Sequence, residues 1–271
     1  MSSDSSAPAR PFEPVRLFDV IRSLMFYVVF YVGSIPYVVS AAVMMPIAQR
    51  PVVRRVNGWS AWHRDCARWL LGIRVRVEGT IPTGPVIIAL RHESFFEAID
   101  LPCLLDNPVI VAKEELMNIP LWGIAAKRWG LITVRRADGA KALRAMVIEA
   151  RERTAQGRPL AIFPEGTRTP FGQSGELQSG FAALYKLLGF PVVPVALTSW
   201  RLYHRWIKRP GTIVYRFCEP IPPGLKRDEI EARVGAALTG FNREASEGAG
   251  PSQAQAERDF FWAPLKNTRS C

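Results

Sequence analysis

Residues 85–100 read PVIIALRHESFFEAID, and this stretch decides the fold class. Its first six residues are apolar, which suits a buried strand ending at Leu90. A helix should follow, because Ser94 is a natural N-cap and Ser94-x-x-Glu97 has the capping-box spacing. A strand that runs through a short loop into a helix is the opening of an α/β unit. Between strand and helix stands His92, one of three histidines in the chain. A catalytic base needs a carboxylate to hold its imidazole in one tautomer, and Glu97 is the first candidate, ahead of Asp100 and Glu93. On one regular helix His92 and Glu97 would point about 140° apart. The pair therefore requires His92 in the loop and Glu97 in the first helical turn. Glu97 suits a cap equally well, since acids are favoured at a helix N-terminus. The stretch alone leaves both roles open.

Outward from this unit the alternation continues. Short apolar runs with strand character occupy 75–79, 108–112, 131–134, 160–163, 192–197 and 212–217. The clearest helix runs from Gly139 to Gln156, with Leu143, Met146, Val147 and Ala150 on one face, a cap at Asp138 and a stop at Gly157. Another helix ends at Gly189, and a last charged one lies near 226–246. The expected fold is α/β: a mixed, partly parallel sheet flanked by helices, with an N-terminal membrane-embedded helical segment.

That segment has its own signal. No residue from Leu24 to Met45 is charged, a run long enough to cross a hydrocarbon core of roughly 30 Å. Gly33 and Pro36 interrupt it, so a re-entrant hairpin in one leaflet competes with a single span, and basic residues on both flanks favour the hairpin. The helix expected at 59–71 places Trp62, Cys66 and Trp69 on one face, and His63 reads as a non-catalytic residue of that helix. The expected domains are a disordered 1–15, a membrane anchor at 16–58, a catalytic domain at 59–246 and a tail at 247–271.

A formal charge of +11 favours phosphate-rich partners. The stretch SWRLYHRWIKRP at 199–210 interleaves Arg201, Arg205, Lys208 and Arg209 with aromatics, which suits a lipid head-group layer or single-stranded nucleic acid. No nucleic-acid module signature accompanies it, so no nucleic-acid partner is expected, and His204 reads as an interfacial residue. The four cysteines form no CxxC pair and are expected to be free thiols. Neither a metal nor a cofactor is expected from three scattered histidines.

A second stretch, LAIFPEGTRT at 160–169, runs a strand into a loop made for an anion. Gly166 permits close backbone approach, Thr167 offers a hydroxyl and Arg168 a planar fork for phosphate oxygens; Glu165 would hold the guanidinium or bind a substrate hydroxyl. With both stretches in view, the chain resembles the glycerolipid acyltransferases of the lysophosphatidic acid acyltransferase type. HESFFE is similar to the first block of that family, with Glu97 in place of the usual Asp. GLITVRR at 130–136 is similar to the second, FPEGTRT at 163–169 to the third and VVPVAL at 192–197 to the fourth. The resemblance implies His92 and Glu97 as the catalytic pair and Arg136, Glu165, Gly166, Thr167 and Arg168 at the substrate phosphate, with Lys113 as a further contact. It places Pro194 near the acyl channel. The implied reaction moves an acyl group from acyl-CoA or acyl carrier protein to the sn-2 hydroxyl of lysophosphatidic acid, at the cytoplasmic side of an inner membrane with an anionic surface. Lyso-ornithine lipid, other lysophospholipids and glycerol 3-phosphate remain alternative acceptors, and Arg135, where the family often has an acid, hints at an anionic head group. A basic membrane- or nucleic-acid-binding protein without catalysis is the alternative of another class.

Overall fold

The computed structural model describes residues 15–44, 49–120, 122–135 and 139–241. Arg136, Asp138 and the tail at 247–271 lie outside the described residues. Seven strands are present: β1 (Ile73–Glu78), β2 (Ile87–Leu90), β3 (Val109–Lys113), β4 (Ile132–Val134), β5 (Leu160–Ile162), β6 (Val192–Leu197) and β7 (Gly211–Phe217). They form one sheet in the order β1-β7-β6-β2-β5-β3-β4. Every pairing is parallel except β6 with β7. This is the mixed, partly parallel sheet that strand–helix alternation predicts.

The central strands show no polar face because helices cover both sides of the sheet. All four residues of β2 and all six of β6 are buried. Alternate side chains of β2 enter opposite cores, as strand geometry requires. Ile88 and Leu90 join Phe26, Phe96 and Trp129 on one side, whereas Ile87 and Ala89 join Met146, Tyr185 and Val234 on the other. The first core is built with α1 (Leu17–Met44), α2 (Gln49–Cys66), α3 (Phe96–Leu104) and α4 (Trp122–Trp129); the second with α5 (Gly139–Thr154), α6 (Ser179–Leu188) and α8 (Arg227–Leu238). The single turn α7 (Trp200–Tyr203) follows β6. In α5 the expected stripe is inward, with Met146, Val147 and Ala150 buried. Gly189 closes α6 in the left-handed conformation at φ 67°, its N–H returning to Tyr185 O. The charged helix expected near 226–246 is α8, Arg227–Leu238, and residues 242–246 of that pattern lie outside the described residues.

The N-terminal segment departs from expectation in an instructive way. α1 runs unbroken for 28 residues through both Gly33 and Pro36. Gly33 is a contact point, since a Cβ there would stand 2.6 Å from the Trp62 indole. Trp59 Nε1 donates to Ser34 Oγ at 2.9 Å, and Gly58 approaches Tyr37. Residue numbers rising on one helix thus meet numbers falling on the other, so α1 and α2 form an antiparallel pair. α1 is long and apolar enough to cross a membrane. It exposes Leu17, Ile21, Leu24, Val28, Val32 and Ile35, spaced by threes and fours, on one continuous face.

The expected face of Trp62, Cys66 and Trp69 is also corrected. α2 ends at Cys66 and continues as a π-helical turn, Ala67–Leu71, whose wider winding shifts the register. Cys66 is buried while Trp69 is 74% exposed, with Arg68 over its ring. Cys66 and Cys218 are free thiols, but Cys103 is disulfide-bonded, against the expectation of four free thiols.

Candidate active site

Parallel pairing carries the blocks to one place. β2 lies between β5 and β6 and parallel to both, so the loops that leave Leu90, Ile162 and Leu197 emerge at the same edge of the sheet. Crevices at the carboxyl ends of parallel strands are where α/β proteins bind ligands. The three segments are stitched together: Thr169 N–H donates to His92 O at 2.7 Å, His92 N–H to Glu165 Oε2 at 3.4 Å, and Trp200 N–H to Glu93 Oε2 at 2.9 Å.

His92 lies in the loop and Glu97 in the first turn of α3, the layout the pair requires. His92 Nδ1 stands 2.9 Å from Glu97 Oε1. The same oxygen accepts the N–H groups of Glu93 and Ser94, each at 2.6 Å. Orienting the histidine and holding the backbone ahead of the helix are therefore one arrangement; the cap position falls at Phe95, one residue beyond the expected Ser94, whose Oγ accepts the Phe96 N–H at 3.1 Å. Three donors on Oε1 suit an ionised carboxylate, so the shared proton belongs to Nδ1 and the Nε2 lone pair is left free. Nε2 makes no hydrogen bond among the described residues, and the ring is 18% exposed, lying against Phe163 at 4.3 Å between centroids with the two planes tilted by 31°.

The other two acids of the stretch are engaged elsewhere. Asp100 holds Arg64 through two bonds of 2.7 Å. Glu93 accepts Arg91 Nε at 3.0 Å and Trp200 N–H at 2.9 Å. Both acids are fully buried, and burial pushes the Glu93 carboxyl up to about 8 against the pull of Arg91. Arg91, 1% exposed, also donates to Pro170 O and Gln173 O. It thereby ties the histidine loop to the segment after Thr169. Sequence reasoning missed Arg91, and it missed Ser199. Ser199 Oγ lies 2.8 Å from Glu97 Oε2, fully buried, beside Ser94 Oγ at 2.9 Å. The only local signal for Ser199 is its place just beyond the fourth block.

The loop after β5, read from the sequence as an anion site, divides into inner and outer parts. Glu165 is 3% exposed and its carboxylate accepts the His92 N–H, bracing the histidine loop from within. Gly166 turns at φ 65° and its N–H is committed to Phe163 O at 2.9 Å. Its contribution is the turn itself, while the N–H groups of Thr167 and Arg168 have no protein partner among the described residues. The side chains of Thr167 and Arg168 are exposed. The Arg168 guanidinium lies over the Phe95 ring at 4.4 Å and makes no ion pair among the described residues. Lys113 is exposed at the end of β3, in register with Val134 of β4. Arg135 is bound bidentately by Glu114, which holds the Glu114 carboxyl below its ordinary range and neutralises the extra charge read from the sequence. Pro194 is buried in β6 beside Ala89. His204 stacks on Trp200, at 3.4 Å between centroids. No cluster of metal-binding side chains occurs among the described residues.

Comparison with known proteins agrees with this arrangement. Residues 72–198 match the family model described as Acyltransferase. The chain is 31% identical over 204 residues to the 1-acyl-sn-glycerol-3-phosphate acyltransferase of Pseudomonas aeruginosa, covering 72% of this chain and 78% of that protein. It is 28% identical over 197 residues to 1-acyl-sn-glycerol-3-phosphate acyltransferase alpha of Mus musculus, covering 68% and 69%. Its fold matches the crystal structure of the 1-acyl-sn-glycerophosphate (LPA) acyltransferase PlsC from Thermotoga maritima with a TM-score of 0.68 at 21% identity, over 87% of this chain and 98% of that one. With the sheet, the strand-end loops and the sequence likeness all in agreement, this chain belongs to the lysophosphatidic acid acyltransferase family and is an O-acyltransferase.

Proposed function

We propose that the chain transfers a fatty acyl group from an acyl thioester to the sn-2 hydroxyl of lysophosphatidic acid, giving phosphatidic acid. The observation that carries this reading is a histidine with one nitrogen fixed by a carboxylate and the other free among the described residues, near an arginine with no anionic partner among them. His92 Nε2 takes the hydroxyl proton as the oxygen attacks the thioester carbonyl. Glu97 stabilises the imidazolium that results. The tetrahedral oxyanion is met by backbone N–H groups of the 166–168 turn, Thr167 and Arg168 being the candidates. The carbon–sulfur bond breaks, and the thiol of coenzyme A or acyl carrier protein leaves with the proton held by His92. Arg168, with Arg136 and Lys113, receives the acceptor phosphate.

Membrane docking by the helical pair is the companion proposal. Arg22 Nε donates to Leu70 O at 2.7 Å, Tyr27 OH to Trp206 O at 2.6 Å, and Lys208 N–H to Ser23 Oγ at 2.8 Å. The first half of α1 is thus fastened along the catalytic domain. A helix so fastened suits lying in one leaflet at an anionic surface with its apolar face down better than crossing the bilayer.

The test is thiol release from oleoyl-CoA, and from oleoyl acyl carrier protein, with and without oleoyl-lysophosphatidic acid. Acceptor-dependent release that disappears in His92→Ala supports the reading. Acceptor-dependent release only with a different lysolipid changes the substrate, and hydrolysis without an acceptor removes the transferase reading.

A further inference from the structure

Resting on the proposed role of Arg168 as a phosphate contact, we propose that Phe95 is a positioning residue that holds the Arg168 guanidinium ready for the acceptor phosphate. Phe95 occupies one of the unspecified positions of the first block, between His92 and Glu97, and no chemistry is assigned to it by the sequence pattern. It is 56% exposed, in the loop leaving β2, just before α3. Arg168 is in the loop leaving β5, the parallel neighbour of β2. The Thr169 N–H to His92 O bond fixes one backbone against the other, so the ring and the guanidinium meet on a rigid base. The separation of 4.4 Å is well inside the range of a cation–π contact.

The kind of partner matters more than its strength. A carboxylate would occupy the N–H edge of the guanidinium and cancel its charge, as Glu114 does for Arg135. A ring carries neither a formal charge nor an oxygen acceptor to occupy the fork. The in-plane N–H donors and the full positive charge stay available for phosphate oxygens, which take the fork in bidentate fashion. A long side chain that would otherwise sample many rotamers is also confined beside His92 before the acceptor arrives, which lowers the entropy lost on binding. The exposure of a phenylalanine at this point then has a cause.

The test is a double-mutant cycle in full-length protein, using oleoyl-lysophosphatidic acid and oleoyl-CoA. Phe95→Ala should raise KM for the lysophosphatidic acid about 3- to 10-fold, with kcat and the thioester KM little changed. Phe95→Trp, which keeps a π face, should restore KM, whereas Phe95→Leu, which keeps only apolar bulk, should not. In an Arg168→Ala background, Phe95→Ala should add nothing. Full additivity of the two substitutions, or rescue by Leu as good as by Trp, would overturn the inference and make Phe95 an apolar contact. An Arg168→Ala enzyme with unchanged KM would instead overturn the phosphate reading beneath it, and the two failures are told apart by that single arm. Wild-type protein that does not use lysophosphatidic acid at all removes both.

Discussion

His92 and His63 stand on opposite sides of the same helix start. Glu97 faces the first and Phe96 the second. His92 has a carboxylate on Nδ1 and, among the described residues, a free Nε2. His63 has Tyr203 OH on Nε2 at 2.7 Å, no partner on Nδ1, and the rings of Phe26, Phe30, Phe96 and Tyr203 around it. It is fully buried, and burial, helped by the nearby charges of Arg64 and Lys208, drives its pKa down to about 3. One histidine keeps an uncommitted lone pair at the strand-end crevice; the other is a neutral aromatic that glues the helical pair to the sheet domain. The difference lies wholly in what surrounds each ring.

The comparison is broken most directly by alanine at each position. His92→Ala should lower kcat about 1,000-fold, within the range for a lost general base, with an unchanged melting temperature. Glu97→Gln should lower it about 100-fold, since a neutral amide neither fixes the Nδ1–H tautomer nor stabilises the imidazolium. His63→Ala should do the reverse. It opens a cavity in an aromatic cluster and should cost about 2–4 kcal/mol of stability, read by denaturation, while kcat per folded molecule stays near wild type. Loss of turnover in folded His63→Ala protein would mean that the two regions are not separable.

A pH experiment sharpens the same contrast. His63 is neutral when folded but takes a proton below about 6.5 when unfolded, so the unfolded state binds more protons in the window from about 6.5 down to about 3. Its contribution to stability is complete above that window and is lost as pH falls through it. Wild-type protein should therefore lose melting temperature between pH 7 and pH 5 faster than His63→Phe protein. Parallel curves for the two proteins would reject the assignment.

The legible parts of this molecule were those written locally. The run VVPVAL has strand character and is a strand over the same residues; LAIF and PVIIAL are trimmed by one or two at the ends. The His92–Glu97 layout was readable because a strand end, a cap and a histidine fall within ten residues. Long-range partners left no such trace. Arg91 finds its carbonyls about 80 residues away, Ser199 reaches Glu97 across 102, and His63 meets Tyr203 across 140. The break expected at Gly33 and Pro36 failed for a related reason. Glycine there serves the distant Trp62 ring, and helix packing overrides the local preference. The π-turn after Cys66 has no sequence signature at all, and so Trp69 was assigned to the wrong face.

Ser199 gives the finest test of how the two regions differ. His63 rests on packing, whereas His92 rests on a chain of hydrogen bonds that ends at Glu97 Oε2. That oxygen lies 2.9 Å from Ser94 Oγ and 2.8 Å from Ser199 Oγ. Two hydroxyl protons serve three contacts, counting the 2.9 Å approach of the serines to each other, so one contact carries no proton. Removing the Ser199 hydroxyl leaves Ser94 as a donor and the three donors on Oε1 intact. The carboxylate should stay ionised but hold its position less firmly, and Ser199→Ala should lower kcat only about 3- to 10-fold, with both KM values retained. Glu97→Asp should fall between this variant and Glu97→Gln, because it keeps the charge but is one methylene short of its donors. A Ser199→Ala loss as large as that of Glu97→Gln would show that the hydroxyl, and not the backbone N–H pair, keeps the carboxylate on His92.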